Sequence, residues 1–417
     1  MASISATAPL RSPNFRWYFA SRSVNLVGNM MAPVALAFAV LDTSGSPLAL
    51  GVVLAARTIP MIVLLLVGGV LGDRMGRHRV IAWSNTVSGA SQAVTAALLI
   101  SGHARLWELI VLAAINGTAA AAGLPASNGL MPQLVPREQL QQANVLTSLT
   151  RAVVAVIGPG AAAVIVTTAG PGWALALDAV TWFAAAALLR PVQVAEPAFT
   201  GRRPLTRDLA EGWGLFRATT WLWVGVAAFA VLNALYEGGF ITLGPALAKE
   251  TDLGPRGWGL LLSMQGLGVL VATLALLRWR LERPLVSAMI GFALFGMPMV
   301  MLGATSALGP LLAVGFASGL GVQVCSLGWS LALQENLPGH MLSRASSYDS
   351  LGSYAAVPLG QILLGHLGAS YGVAHVVMIC GLISVVVALL PLTVPAFRGI
   401  RRPALEPATA PTSAQAS

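Results

Sequence analysis

Twelve apolar runs of bilayer-spanning length, parted by short breaks of glycine, proline and charge, constrain this chain more than any other feature. They lie at 15–41, 47–72, 79–101, 106–129, 141–169, 173–192, 219–247, 256–278, 285–304, 308–333, 343–369 and 373–396. A helix rises about 1.5 Å per residue, so roughly 20 residues cross the hydrocarbon of a bilayer. Breaks such as DTSGSP, SGHAR and TAGPG stop or turn a helix. Only 9% of the chain is charged and 56% is hydrophobic, where a soluble domain carries about 25% charged residues. A soluble fold of 417 residues cannot hide so much apolar surface. The expected fold is an all-α integral membrane protein with twelve transmembrane helices.

The formal net charge of +9 does not point to nucleic acid, because the basic residues sit in short loops between apolar runs. With the N-terminus in the cytoplasm, nineteen of the 24 Lys and Arg residues fall on the inner side. Arg105, Lys249 and Arg256 fall outside, and Arg57 and Arg151 lie within spans. That asymmetry places both termini in the cytoplasm. Cys325 and Cys380 lie inside apolar runs, so neither a disulfide framework nor a metal site is indicated. The polar stretch 193–218 divides the chain into an N-terminal segment 1–14, a six-helix half 15–192, a cytoplasmic loop 193–218, a second half 219–396 and a disordered tail 397–417. Residues 133–158 and 335–360 align at an offset of 202, with Leu140 against Leu342 and Gly158 against Gly360. Two pseudo-symmetric halves of six helices are a transporter architecture.

Between the second and third runs the chain reads Gly69-x-Leu71-x-Asp73-Arg74-x-Gly76-Arg77-His78-Arg79. This stretch resembles the signature of the major facilitator superfamily, in its expected place between helices two and three. LAARTIP (54–60), ALDAVTWFAAA (176–186) and the VPREQLQQAN segment look like the bacterial drug- and siderophore-exporting branch. The second-half counterpart of the signature, LRWRLERPL, lacks its Asp and Gly frame, and GPGAA keeps only Gly158 and Pro159 of the antiporter motif. The resemblance implies a latch at Gly69, Asp73, Arg74, Gly76 and Arg77. Asp73 would pair with an arginine, or with the N-terminal end of the eleventh helix near Ser343.

Ionisable groups in hydrocarbon are costly and need partners or water. Glu237, with Asn233, Tyr236 and Phe240 on one helical face by spacing, reads as a cavity carboxylate that takes up a proton or pairs with a cationic substrate. Alternatively it is hydrogen-bonded to a loop at the outer end. Arg57 suits a buried carboxylate or an anionic substrate group, or a helix-packing pair. Asp178 reads as structural, because helices three, six, nine and twelve are peripheral in the resembled fold. Arg151 reads as gating or packing. By the same resemblance helices one, four, seven and ten line the cavity, which nominates Asn25, Asn29, Asn116, Asn233 and Gln323 for substrate contact. Interhelical hydrogen bonding is the plainer account of each. His366 and His375 read as loop histidines.

No Walker lysine motif, metal-binding spacing or nucleophile elbow occurs, so the expectation is neither an ATP-driven pump nor an enzyme. A secondary exporter of amphipathic drugs or natural products is expected, exchanging protons by alternating access in a bacterial inner membrane. It needs no cofactor beyond the proton gradient, binds lipid and small molecule but no nucleic acid, and is monomeric. An importer or uniporter of a small polar solute, and a non-transporting receptor or scaffold on the same fold, are the alternatives.

Overall fold

A computed structural model describes residues 7–194, 213–337 and 342–401; the side chains at 65–74, 128–129, 137, 342–345 and 347 lie outside that description. The first half holds α1 (Pro13–Ser44), α2 (Pro47–Met75), α3 (Arg77–Ile100), α4 (Leu106–Leu134), α5 (Leu140–Ala169) and α6 (Pro171–Leu189). The second half holds α7 (Thr220–Glu250), α8 (Gly254–Leu276), α9 (Pro284–Ala304) and α10 (Leu308–Asn336). It ends with α11, in two pieces (Leu342–Tyr354 and Val357–Tyr371), and α12 (Val373–Leu389). Among the described residues ten helices are long and apolar enough to span a bilayer. The remaining two of the twelve are α3, whose inner face carries Ser84, Asn85, Ser88 and Ser91, and the broken α11.

Within each half the same helices are neighbours. In the first half α2 packs on α4, α3 on α4 and α6, and α1 on α5 and α6. In the second, α8 packs on α10, α9 on α10 and α12, and α7 on α11 and α12. The aligned segments occupy matching positions. Leu140 and Leu342 each open a helix. Gly158 lies against Met30 of α1, and Gly360 lies against Ala234 of α7. The halves meet along the symmetric pairs α2 with α11 and α5 with α8.

The distribution of the core shows how the halves sit. We call the end of the bundle that carries the chain termini the base and the other end the crown. At the crown one apolar cluster takes residues from both halves, including Phe38, Leu50, Val166, Phe240, Leu247, Trp258 and Val377. Toward the base there are two clusters. One holds Phe15, Val80, Leu130 and Leu189 of the first half; the other holds Leu222, Leu285, Trp329 and Phe397 of the second. The halves are joined at the crown and part toward the base. Glycines make the crown contact close: a Cβ at Gly51 would overlap the Gln361 carbonyl, and one at Gly259 would overlap Ala163. Asp42 and Lys249 form an exposed ion pair across the same seam, whose energetic weight is small.

Outward faces are apolar, as lipid contact requires; Val63 and Leu359 are 66% and 70% exposed. Exposed tryptophans sit near both ends, Trp17, Trp223 and Trp279 toward the base and Trp107 and Trp173 toward the crown. That matches the aromatic belts of membrane–water interfaces.

Three expectations are corrected. The eleventh span is not continuous over 343–369: it breaks at 355–356, just before Val357-Pro358, because proline brings no N–H to the ladder. The twelfth does not run to 396 but ends at Leu389, where Pro391 and Pro395 take the chain into a 3₁₀ turn and a short helix. The tail is not free from 397, since Phe397 is fully buried against the base of the second half. Within the stretch expected as the central loop, residues 213–218 are helical and Trp213 and Phe216 pack against Tyr348.

Gly51→Leu should wedge the crown apart. The distance between spin labels at Thr43 and Tyr371, measured by pulsed electron resonance, should lengthen relative to the parent.

Candidate substrate and coupling cavities

Among the described residues, three cavities reach the interior of the bundle. The first, of about 240 Å³, lies between α1, α2, α3, α4, α6, α7 and α11. It gathers Arg57, Asp178 and Glu237 with Asn29, Gln92, Asn116 and Gln361. The Arg57 Nε–H donates to Asn116 Oδ1 at 3.1 Å, and Asn116 Nδ2 reaches Ser91 Oγ at 3.4 Å. Asp178 is fully buried; its Oδ2 accepts from Gln92 Nε2 at 2.7 Å and from Trp182 Nε1 at 3.2 Å. Its Oδ1 has no hydrogen-bond partner. Gln361 Nε2 donates to Glu237 Oε2 at 3.4 Å, while Gln361 Oε1 is unpartnered. One guanidinium therefore shares an enclosed space with two carboxylates, one from each half.

Local sequence explains how these groups converge. Gly28 of α1 faces Asp178 and Thr181, and Gly89 of α3 faces Trp182 and Phe183, so α6 is drawn against both helices. Gly117 of α4 lies on the backbone of Arg57. On α7 the segment Tyr236–Thr242 is π-helical, and Thr242 Oγ1 donates to the Glu237 carbonyl at 2.8 Å, five residues back. A single-turn π-segment inside an α-helix often marks a functional site.

The second cavity, about 570 Å³, lies wholly within the second half and is walled by Phe229, Tyr236, Phe292, Phe295, Trp329 and Tyr354. Asn233, Glu237, Asp349 and several serines supply its polar groups. Glu237 thus lines both this pocket and the enclosed cavity. The third, about 770 Å³, is a vestibule between the halves toward the base; it is lined by Arg22, Asn144, Thr147 and Arg151 of the first half and by Thr273, Gln323 and Ser326 of the second.

The residues nominated from sequence are therefore distributed among three places. Asn29, Arg57, Asn116 and Glu237 meet in the enclosed cavity. Asn233 and Tyr236 line the aromatic pocket and Gln323 the vestibule. Asn25 lines none of the three; it is buried, and accepts from Asn29 Nδ2 at 2.7 Å. On the π-segment of α7, Tyr236 and Phe240 stack with ring centroids 5.1 Å apart, and Phe240 goes on into the crown core. Asp178 is not peripheral: α3 and α6 both reach the cavity. Arg151 is exposed and borders the vestibule, and Pro159 presents its carbonyl to Gly259 across the seam. Of the latch residues, Gly69 and the side chains of Asp73 and Arg74 lie outside the described residues. Gly76 is the single residue between α2 and α3, with φ of 84°, and Arg77 opens α3; only glycine takes that conformation without strain. Gln92, Trp182, Asp349 and Gln361 were missed. Gln361 follows the alignable Gly360 by one position, the only signal that pointed toward it.

The chain matches the family described as transmembrane secretion effector over residues 4–414. It is 27% identical over 368 residues to the enterobactin exporter EntS of Escherichia coli O1:K1 / APEC, covering 86% of each chain. The EntS of Shigella boydii serotype 18 (strain CDC 3083-94 / BS512) is 28% identical over the same share. Among solved structures, the nucleoside transporter NupG superposes with a TM-score of 0.71 at 13% identity, covering 91% of this chain and 98% of that one. A bacterial homologue of the iron transporter ferroportin, in an inward-facing state, superposes at 0.69 with 18% identity and the same coverage. These likenesses are of fold.

Asp178→Ala should leave the buried Trp182 donor unpaired, at about 1–3 kcal/mol, and free Gln92, which is half-buried in the cavity wall. The unfolding temperature in detergent should fall by several degrees, and by less for Asp178→Asn, which keeps an acceptor oxygen.

Proposed function

Because the chain belongs to the transmembrane secretion effector family of the major facilitator superfamily, and so is a multi-pass membrane transporter, we propose that it exports an amphipathic organic compound in exchange for protons. The observation that carries the reading is the position of Glu237, shared by the cavity that holds Arg57 and by the aromatic pocket. A carboxylate in that position meets substrate on one side and an arginine of the other half on the other. Substrate entering from the base competes with Arg57 for that charge and lets the crown part; proton uptake from the crown side then neutralises Glu237 and releases the substrate outward. The protonated protein closes its crown again, and loss of the proton to the base side restores the charge and its hold on Arg57. With the arginine-rich base in the cytoplasm, the form described here is open inward, and substrate enters through the vestibule.

Export of a natural product is supported by the likeness to enterobactin exporters. Apolar walls with few polar groups suit such a ligand, the walls supplying affinity and the polar groups orientation. The test is flux in proteoliposomes containing only the purified protein and an imposed pH gradient. Glu237→Gln should cut gradient-driven flux at least about tenfold while leaving exchange of labelled for unlabelled substrate intact. Unchanged gradient-driven flux in Glu237→Gln removes the coupling role, and uptake without any gradient dependence favours a uniporter.

A further inference from the structure

Asp349 takes no part in the coupling scheme, yet it is held in a built position. It lies on the first piece of α11, and the Trp329 indole N–H of α10 donates to both of its oxygens, at 3.1 and 3.2 Å. Ser353 Oγ donates to Oδ1 at 3.4 Å. Trp329 is itself fixed edge-on to Phe229, with ring centroids 4.7 Å apart and planes at 90°. Around this group lies the aromatic pocket of about 570 Å³, within the range of sites for drug-sized ligands.

The charge of the pocket has one sign. Among the described residues that line it the carboxylates are Asp349 and Glu237, with no Lys, Arg or His. The ring faces add the negative side of the aromatic quadrupole, which attracts cations and repels anions. Past Ser326, which borders both spaces, the vestibule carries Arg22 and Arg151. The sign of the field therefore changes between the first half and the second, so a cation is favoured only on the second side.

We propose that this pocket is a subsite for a hydrophobic organic cation, such as a substituted ammonium, with Asp349 as its counter-charge and Phe229 and Trp329 among its walls. The subsite names the charge class of the substrate and rests on the transporter reading above. Asp349 positions the ligand; Glu237 remains the coupling group.

The experiment is equilibrium binding to the purified protein, without a gradient, of tetraphenylphosphonium and tetraphenylborate, which share a shape and differ in charge. The phosphonium should bind saturably, and the borate at least about tenfold more weakly. Asp349→Asn keeps an oxygen for the Trp329 N–H and should weaken phosphonium binding by about tenfold, equivalent to about 1.4 kcal/mol, without weakening borate binding. Equal binding of the two probes by the parent protein overturns the proposal even if the variant does not fold. So does a folded Asp349→Asn protein with unchanged phosphonium affinity, or a loss that appears only in Glu237→Gln. If the probes are not discriminated but proton-driven flux still needs Glu237, the exporter reading stands and the cation subsite falls; the reverse result separates them the other way.

Discussion

A bilayer gives apolar helices no hydrophobic reason to leave lipid for one another, so close packing and buried polar contacts must hold the bundle together. The seam between the halves shows the consequence. Gly51 under Gln361, Gly259 on Ala163 and Gly266 on Ala155 bring the helices of the two halves together at three points. Each glycine removes a side chain that would otherwise hold the helices apart. A joint of this kind is stiff in compression and weak in tension, because its attraction falls off steeply with separation. Such a seam can open as a unit once something unfavourable is placed in it.

Arg57 is the group whose burial has most to be offset. A guanidinium in hydrocarbon costs at least a few kcal/mol, and Asn116 alone supplies a dipole and no charge. The two carboxylates that share its cavity answer that cost from opposite halves. Asp178 is fixed by Gln92 and Trp182 and moves with Arg57, as part of the same half. Glu237 belongs to the other half and is held by a single long hydrogen bond from Gln361. The electrostatics at the seam therefore has a constant part and a detachable part, and the detachable part lies on the π-segment of α7.

Much of the architecture was legible in the sequence, because bilayer thickness imposes a length on every span and the 202-residue repeat keeps its register down to the helix starts Leu140 and Leu342. Glu237 and Arg57 stood out because charge inside an apolar run is rare. Their partners did not. Gln92 and Asp178 lie on helices that the resemblance assigns to the periphery, and only the small faces of Gly28 and Gly89 bring those helices to the cavity. Glycines are so common here that no single one signals a close approach. The π-segment was equally silent, since YEGGFIT fits an α-helical pattern. Asp349 was passed over because its neighbours, SRASSYDSLGSY, read as a polar helix end in which a carboxylate is unremarkable; its meaning comes from Trp329, twenty residues away.

The two carboxylates of the aromatic pocket are not equivalent, and the difference follows from their supports. Asp349 accepts from two side-chain donors of its own half, the Trp329 N–H shared between both oxygens and the Ser353 hydroxyl, so any movement of that half carries the group along unchanged. A charge with that support can bind a ligand but cannot report which way the seam is open. Glu237 borders the other half through the Arg57 cavity, so its surroundings change whenever the seam does. On the proposed reading, a ligand resting on Asp349 reaches the coupling group only where the two spaces meet at Glu237. Binding and coupling then compete through one side chain and need no longer path. That arrangement ties the release of a cationic substrate to the arrival of a proton, since both act on the same negative charge.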